Sequence, residues 1–121
     1  MTKWPSEIIP DGDLLFMRIH QDWIPGGELN LGVFRDHGIG MSTDWAKYAT
    51  ALDTKNRARD PNKNEVLSFN ARDLRSVPLE IQHTPDEQNN NRAHTDVIGE
   101  KTPKVRVLLS RMFSWVNLQE P

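Results

Sequence analysis

Leu14-Leu15-Phe16-Met17-Arg18-Ile19-His20 is the stretch that decides how this chain is read. Its first residues are apolar at every position, as in a strand covered on both faces, and its last residues turn polar at alternate positions. The pattern predicts a central β-strand whose end emerges into polar surroundings. Successive side chains of a strand point to opposite faces, so Arg18 and His20 share one face at that end.

Upstream, residues 1–13 set Pro5, Pro10 and Gly12 among polar residues, which predicts an arm laid on the surface and pinned by Trp4 and Ile8-Ile9. Downstream, Pro25-Gly26-Gly27 breaks the chain. Leu29 to Phe34 reads as a short extended piece, Arg35-Asp36-His37-Gly38 as a turn, and Ile39 to Ser42 as a second strand. Ser42, Thr43 or Asp44 then caps a helix predicted over about 43–56, because Trp45, Tyr48, Ala49 and Leu52 recur at i, i+3, i+4 and i+7.

Arg57 to Asn64 reads as a solvated turn, and Glu65 to Ala71 alternates as a strand does. One helical turn is expected over Arg72 to Val77, and Leu79-Glu80-Ile81-Gln82 as a further strand with His83 at its mouth. Val97-Ile98-Gly99 leads into Thr102-Pro103, an N-cap followed by proline at the first helical position. The helix predicted there, over 103–117, carries an apolar stripe of Val105, Leu108, Leu109, Met112 and Val116. Strands and helices mix without regular alternation or repeat, so the expected fold is α+β. It is one small domain, 1–121, with a short mixed or antiparallel sheet and two main helices.

Composition bounds the function. Hydrophobic residues at 36% and charged residues at 26% exclude a disordered or membrane-spanning chain. A net charge of −2 argues against a basic nucleic-acid coat protein while leaving room for a local basic face. Cysteine is absent, which excludes disulfides and thiolate chemistry. The first residues lack the apolar run of a signal peptide, and a cytoplasmic location with no membrane partner is expected.

The densest polar chemistry runs from Gln82 to Asp96, where His83-Thr84 and His94-Thr95 bracket an Asn-rich loop at 86–92. Such loops are where a small domain places a site. His20, His83 and His94 each fall at or near a predicted strand end and could converge there, and three imidazoles with an open fourth position suit zinc. Their spacing lacks the local pair typical of metal ligands, since His83 and His94 lie eleven positions apart, so no metal is expected. The His-Thr pairs differ from paired-histidine phosphoesterase motifs, because adjacent residues on a strand point to opposite faces.

Gly99-Glu100-Lys101-Thr102 looks like a fragment of a phosphate loop, but the position of its first glycine is His94. What remains is a basic helix start, Lys101, Lys104 and Arg106, with no acid between Lys101 and Gln119. It suits an isolated anion or a nucleic-acid backbone, although charge runs of this kind are usually a plain solvated helix face.

Phe16 to His20, Ile39 to Ala49 and Glu65 to Ala71, taken in that order, resemble ADP-ribosyltransferase-like domains over residues 14–75. Those domains begin with a strand ending in Arg or His, then a strand carrying Ser/Thr-x-Asp that opens a helix, then a Val-Leu-x-Val strand. The resemblance implies NAD as cofactor, with Arg18 or His20 on the nicotinamide ribose, Ser42 and Thr43 supporting the nicotinamide pocket and Tyr48 stacked on the ring. The late catalytic glutamate of those enzymes has no counterpart here, since Glu65, Glu80, Glu87 and Glu100 lie in no distinguishing motif. Residues 94–116 resemble small uncharacterised bacterial proteins, which implies a bacterial origin and no particular activity.

The leading expectation is a polar cleft formed by Arg18, His20, Ser42, Thr43, His83 and His94, binding a nucleotide-like or other small anionic ligand. Lys101, Lys104, Arg106 and Tyr48 are expected to contact the ligand. The competing expectations are a protein-protein interaction module built on Trp4, Trp23, Trp45 and Trp115, and an RNA- or phosphate-binding protein using the basic helix start.

Overall fold

In the computed structural model, Leu14–His20 forms strand β1 at the middle of a six-stranded antiparallel sheet. It pairs on one side with β2 (Met41–Trp45) and on the other with β3 (Asn64–Asn70). β4 (Glu80–His83), β5 (His94–Ile98) and β6 (Ser114–Trp115) complete the order β4-β5-β2-β1-β3-β6. Residues 3–118 are described; Met1 and Thr2 of the expected arm, and residues 119–121, lie outside them.

Alternation along β1 builds two unequal faces. Leu15, Met17 and Ile19 join Met41, Trp45, Leu67, Phe69 and Val97 in the main core, roofed by Phe34, Leu74 and Leu109. Phe16 points the other way, into a small cluster with Val66 and Ala51. Beyond that cluster the second face carries polar residues, because Asp44 stands opposite Phe16 and His94 opposite Asp44. The fold is therefore α+β, with α1 (Ala51–Asn56), α2 (Ala71–Ser76) and α3 (Pro103–Ser110) around the sheet.

Two helix boundaries differ from expectation. The helix predicted from 43 begins only at Ala51, since Met41, Thr43 and Trp45 alternate into the core as β2. Trp45, Tyr48 and Leu52 fit a helical period by coincidence, and Leu52 is half exposed. The start is fixed instead by Thr50 and Asp53, whose side chains each accept a hydrogen bond from the other's backbone amide. The helix predicted to 117 ends at Ser110, because Ser114 and Trp115 add a strand to the free edge of β3. Val116 packs with the Phe16 cluster and not on the helix stripe. Leu31–Val33 is a 3-10 turn capped by the Asn30 side chain, where an extended piece was expected. Among the described residues no helix is long and apolar enough to cross a membrane.

Candidate functional site

The polar part of the second face opens into two adjoining cavities of about 630 and 560 Å³. Met17, Arg18 and His37 line both, so Arg18 stands where they meet. Strand parity explains its position: Leu15, Met17 and Ile19 are held in the core, which turns the guanidinium outward. Arg18 is exposed, and its side chain makes no hydrogen bond or ion pair with a described residue.

The larger cavity is cationic. Arg18, Arg35, Arg59 and Lys63 line it against a single carboxylate, Asp60, which lies 3.7 Å from Lys63. Arg35 stacks over the Trp23 ring at 5.0 Å, and the Arg59 side chain, like that of Arg18, has no polar partner among the described residues. His20 also lines this cavity, its Nδ1 accepting the Asp22 amide at 3.0 Å. Four cations facing one acid in a chain of net charge −2 make a local field that attracts anions.

The smaller cavity is a polar network. Ser42 and His94 come from the facing strands β2 and β5, with His94 Nε2 3.4 Å from Ser42 Oγ. Behind His94, its Nδ1 lies 3.0 Å from both the carbonyl oxygen and the hydroxyl of Thr84, and that hydroxyl donates to Asp96 at 2.8 Å. Asp44 is nearly buried and fully used: it accepts from Thr54 Oγ1 at 2.8 Å, Asn91 Nδ2 at 2.8 Å and Arg57 Nε at 3.3 Å. The Asn-rich loop supplies a wall through Asp86, Asn89 and Asn91. A bridge between Asp86 and Asn91 closes it, Asn90 sits at φ 51°, and hydrogen bonds from the Asn89 side chain and backbone hold the Asp86 carboxyl below its usual range.

Other residues singled out in the sequence lie elsewhere. Thr43 borders the smaller cavity, but its hydroxyl donates to the Thr95 carbonyl and its side chain is buried. His83 is buried on the core side, where Nδ1 accepts the Glu7 amide and Nε2 donates to the Arg92 carbonyl. Its ring meets Trp45 edge-on and stacks on Tyr48. Tyr48 is equally committed: its hydroxyl donates to Glu7, and the Arg92 guanidinium lies 4.1 Å from its ring centroid. Neither side chain reaches the cavities, so the roles expected for Tyr48 and His83 at a ligand find no geometry here.

The basic helix start disperses as well. Lys101 is buried in an ion pair with Asp36 at 2.6 Å, Arg106 donates to the Phe34 carbonyl, and Lys104 alone is exposed. His20, His83 and His94 do not converge, and among the described residues no group of three His, Cys, Asp or Glu is placed to hold a metal ion.

Sequence reasoning missed Asp44, Arg57, Thr84, Asp96 and Arg59. Two of them had a signal: Ser42 with Asp44, and His94 with Asp96, are two apart and therefore share a face on a strand. Comparison with protein-family models, with curated proteins and with solved structures finds no match to this chain.

Proposed function

We propose that the protein binds a small anionic, nucleotide-like ligand across the two cavities, gripped by Arg18 where they meet. The observation that carries this reading is Arg18 itself: an outward guanidinium without an internal partner, on a rigid central strand, beside Arg35, Arg59 and Lys63. A planar guanidinium offers two parallel donors to a phosphate, and donors already fixed by a strand lose little freedom on binding. NAD belongs to this ligand class, and the resemblance of residues 14–75 to ADP-ribosyltransferase-like domains supports testing it. The ring-stacking and pocket roles implied for Tyr48 and Thr43 draw no support from their positions.

The test is calorimetric titration with pyrophosphate, ADP and NAD. Binding is expected to weaken as salt rises. Arg18→Lys keeps the charge and loses the fork, and it is expected to lower affinity roughly tenfold with the fold intact. Unchanged binding in Arg18→Ala and Arg59→Ala variants would refute the reading.

A protein-protein interaction module is the second reading. His83 and His20 on separate parts of the fold favour it, as does Trp115, 44% exposed on the edge strand β6. Retained folding with no response to any of the three anions would leave it as the better account.

A further inference from the structure

We infer that Ser42 and His94 form a nucleophile–base pair, set for transfer of a phosphoryl group from a phosphate ester onto Ser42. The substrate class rests on the anion-binding reading of Arg18; the pair itself rests on a count of protons. The Thr84 hydroxyl has one hydrogen, and it is committed to Asp96 Oδ2 at 2.8 Å. Toward His94 that hydroxyl can only accept, and so can the Thr84 carbonyl. Both contacts at Nδ1 therefore call for a hydrogen on Nδ1. In the neutral imidazole this leaves Nε2 with a lone pair, and Nε2 is the atom facing Ser42 Oγ at 3.4 Å.

This is the arrangement that activates a hydroxyl: a base whose far nitrogen is oriented by a third group. Here the third group is Thr84, and the Asp96 carboxylate behind it, nearly buried, stabilises the imidazolium as it forms. The 3.4 Å separation is long for a hydrogen bond, in keeping with unliganded sites that tighten on binding. Arg18, Ser42 and His94 line one cavity, so an ester phosphate held by Arg18 would share that space with the hydroxyl.

In the step itself, Ser42 Oγ attacks phosphorus, the Oγ–P bond forms and the P–O bond to the leaving alcohol breaks. The Oγ proton passes to His94 Nε2 and from there to the departing alkoxide. Water, deprotonated by the same nitrogen, then attacks phosphorus; the Oγ–P bond breaks and Nε2 returns the proton to Oγ, giving phosphate, free Ser42 and neutral His94. The sum is ester plus water giving alcohol plus phosphate, with no other reactant. Ser42 and His94 are the catalytic residues, and Thr84 and Asp96 are positioning residues.

An uncharged alkyl fluorophosphonate tests the pair independently of anion binding, because it forms the same Oγ–P bond as its P–F bond breaks and fluoride leaves. Incubation with the intact protein, followed by peptide mass analysis, is expected to place the phosphonyl group on Ser42. His94→Ala should slow labelling by about 100-fold or more. Thr84→Val should slow it with Ser42 still the labelled residue, and Thr84→Ser, which keeps the hydroxyl, should restore the rate. Circular dichroism on each variant separates lost reactivity from lost fold. No label on Ser42 in folded protein, or labelling indifferent to His94→Ala, overturns the inference whatever pyrophosphate binding shows. If Ser42 is labelled and saturating pyrophosphate leaves the rate unchanged, the pair stands and the phosphate-ester substrate falls.

Discussion

Asp44 shows how much of the site is held by single atoms. Its carboxylate, on β2, receives three donors from two other segments: Thr54 and the C-capping Arg57 of α1, and Asn91 at the end of the polar loop. Asp44→Asn keeps the shape but removes the charge and turns an amide toward groups that themselves donate. We expect a loss of about 2–3 kcal/mol in urea denaturation, near the value of hydrogen bonds to a charged group and discounted because Arg57 is partly exposed. A loss under about 0.5 kcal/mol would mean that the three segments are held by other contacts. Gly40 is constrained by space. A Cβ there would stand 2.9 Å from both the Asp96 Cβ and the Val97 carbonyl. Gly40→Ala should therefore push the 37–40 turn off β5 and cost about 1–3 kcal/mol by the same measurement.

At the scale of elements, β1 and β3 were legible because their patterns are local and unopposed: alternation in Glu65 to Ala71 and an apolar run at Leu14 that turns polar at Arg18. α3 was legible at its start, where Thr102 caps and Pro103 follows, and not at its end. No glycine or proline marks residue 110; the helix stops because β3 offers an unpaired edge, a tertiary fact that no local pattern encodes. β2 was obscured for a different reason, since five residues of strand and the following turn happen to mimic a helical stripe. Of the site, the face shared by Arg18 and His20 followed from parity within one strand. The pairing of Ser42 with His94, and the link from Thr84 to Asp96, depend on registers between strands 52 and 12 residues apart. The buried stripe of α3 narrows to Val105 and Leu109, with Leu108 and Met112 partly covered. Leu109→Ala should cost on the order of 2–5 kcal/mol in chemical denaturation. A value below about 1 kcal/mol would place α3 outside the cooperative core.

For the molecule as a whole, charge sets the conditions under which this fold holds. The Lys47 ammonium, with the Tyr48 hydroxyl beside it, keeps the Glu7 carboxyl below its usual range. The Thr50 amide does the same for Asp53, and Asn89 for Asp86. A carboxyl with a depressed folded-state pKa is more readily protonated in the unfolded chain, so its contribution is present above the unfolded pKa and lost as pH falls through the folded one. Melting temperature should accordingly drop as pH is lowered below about 4, and Glu7→Gln should flatten that drop. Lys47 is raised by the same contact with Glu7, so its contribution persists at neutral pH and fades only on the alkaline side as pH rises through the raised value. An acid limb equally steep in Glu7→Gln would show that the arm carries none of it. The arm also behaves as a fastener between distant parts. Ser6 and Glu7 tie it to His83 at the end of edge strand β4, Ile9 plugs the core, and the Lys3 amide meets the Glu87 carboxylate on the loop that walls the smaller cavity. Removing residues 1–8 would cut no cavity-lining side chain, yet the loop would lose its outer mooring and both Tyr48 and His83 would lose their hydrogen bonds to Glu7. Loss of the arm would thus be felt at the wall of the smaller cavity, through a segment that contributes no side chain to either cavity.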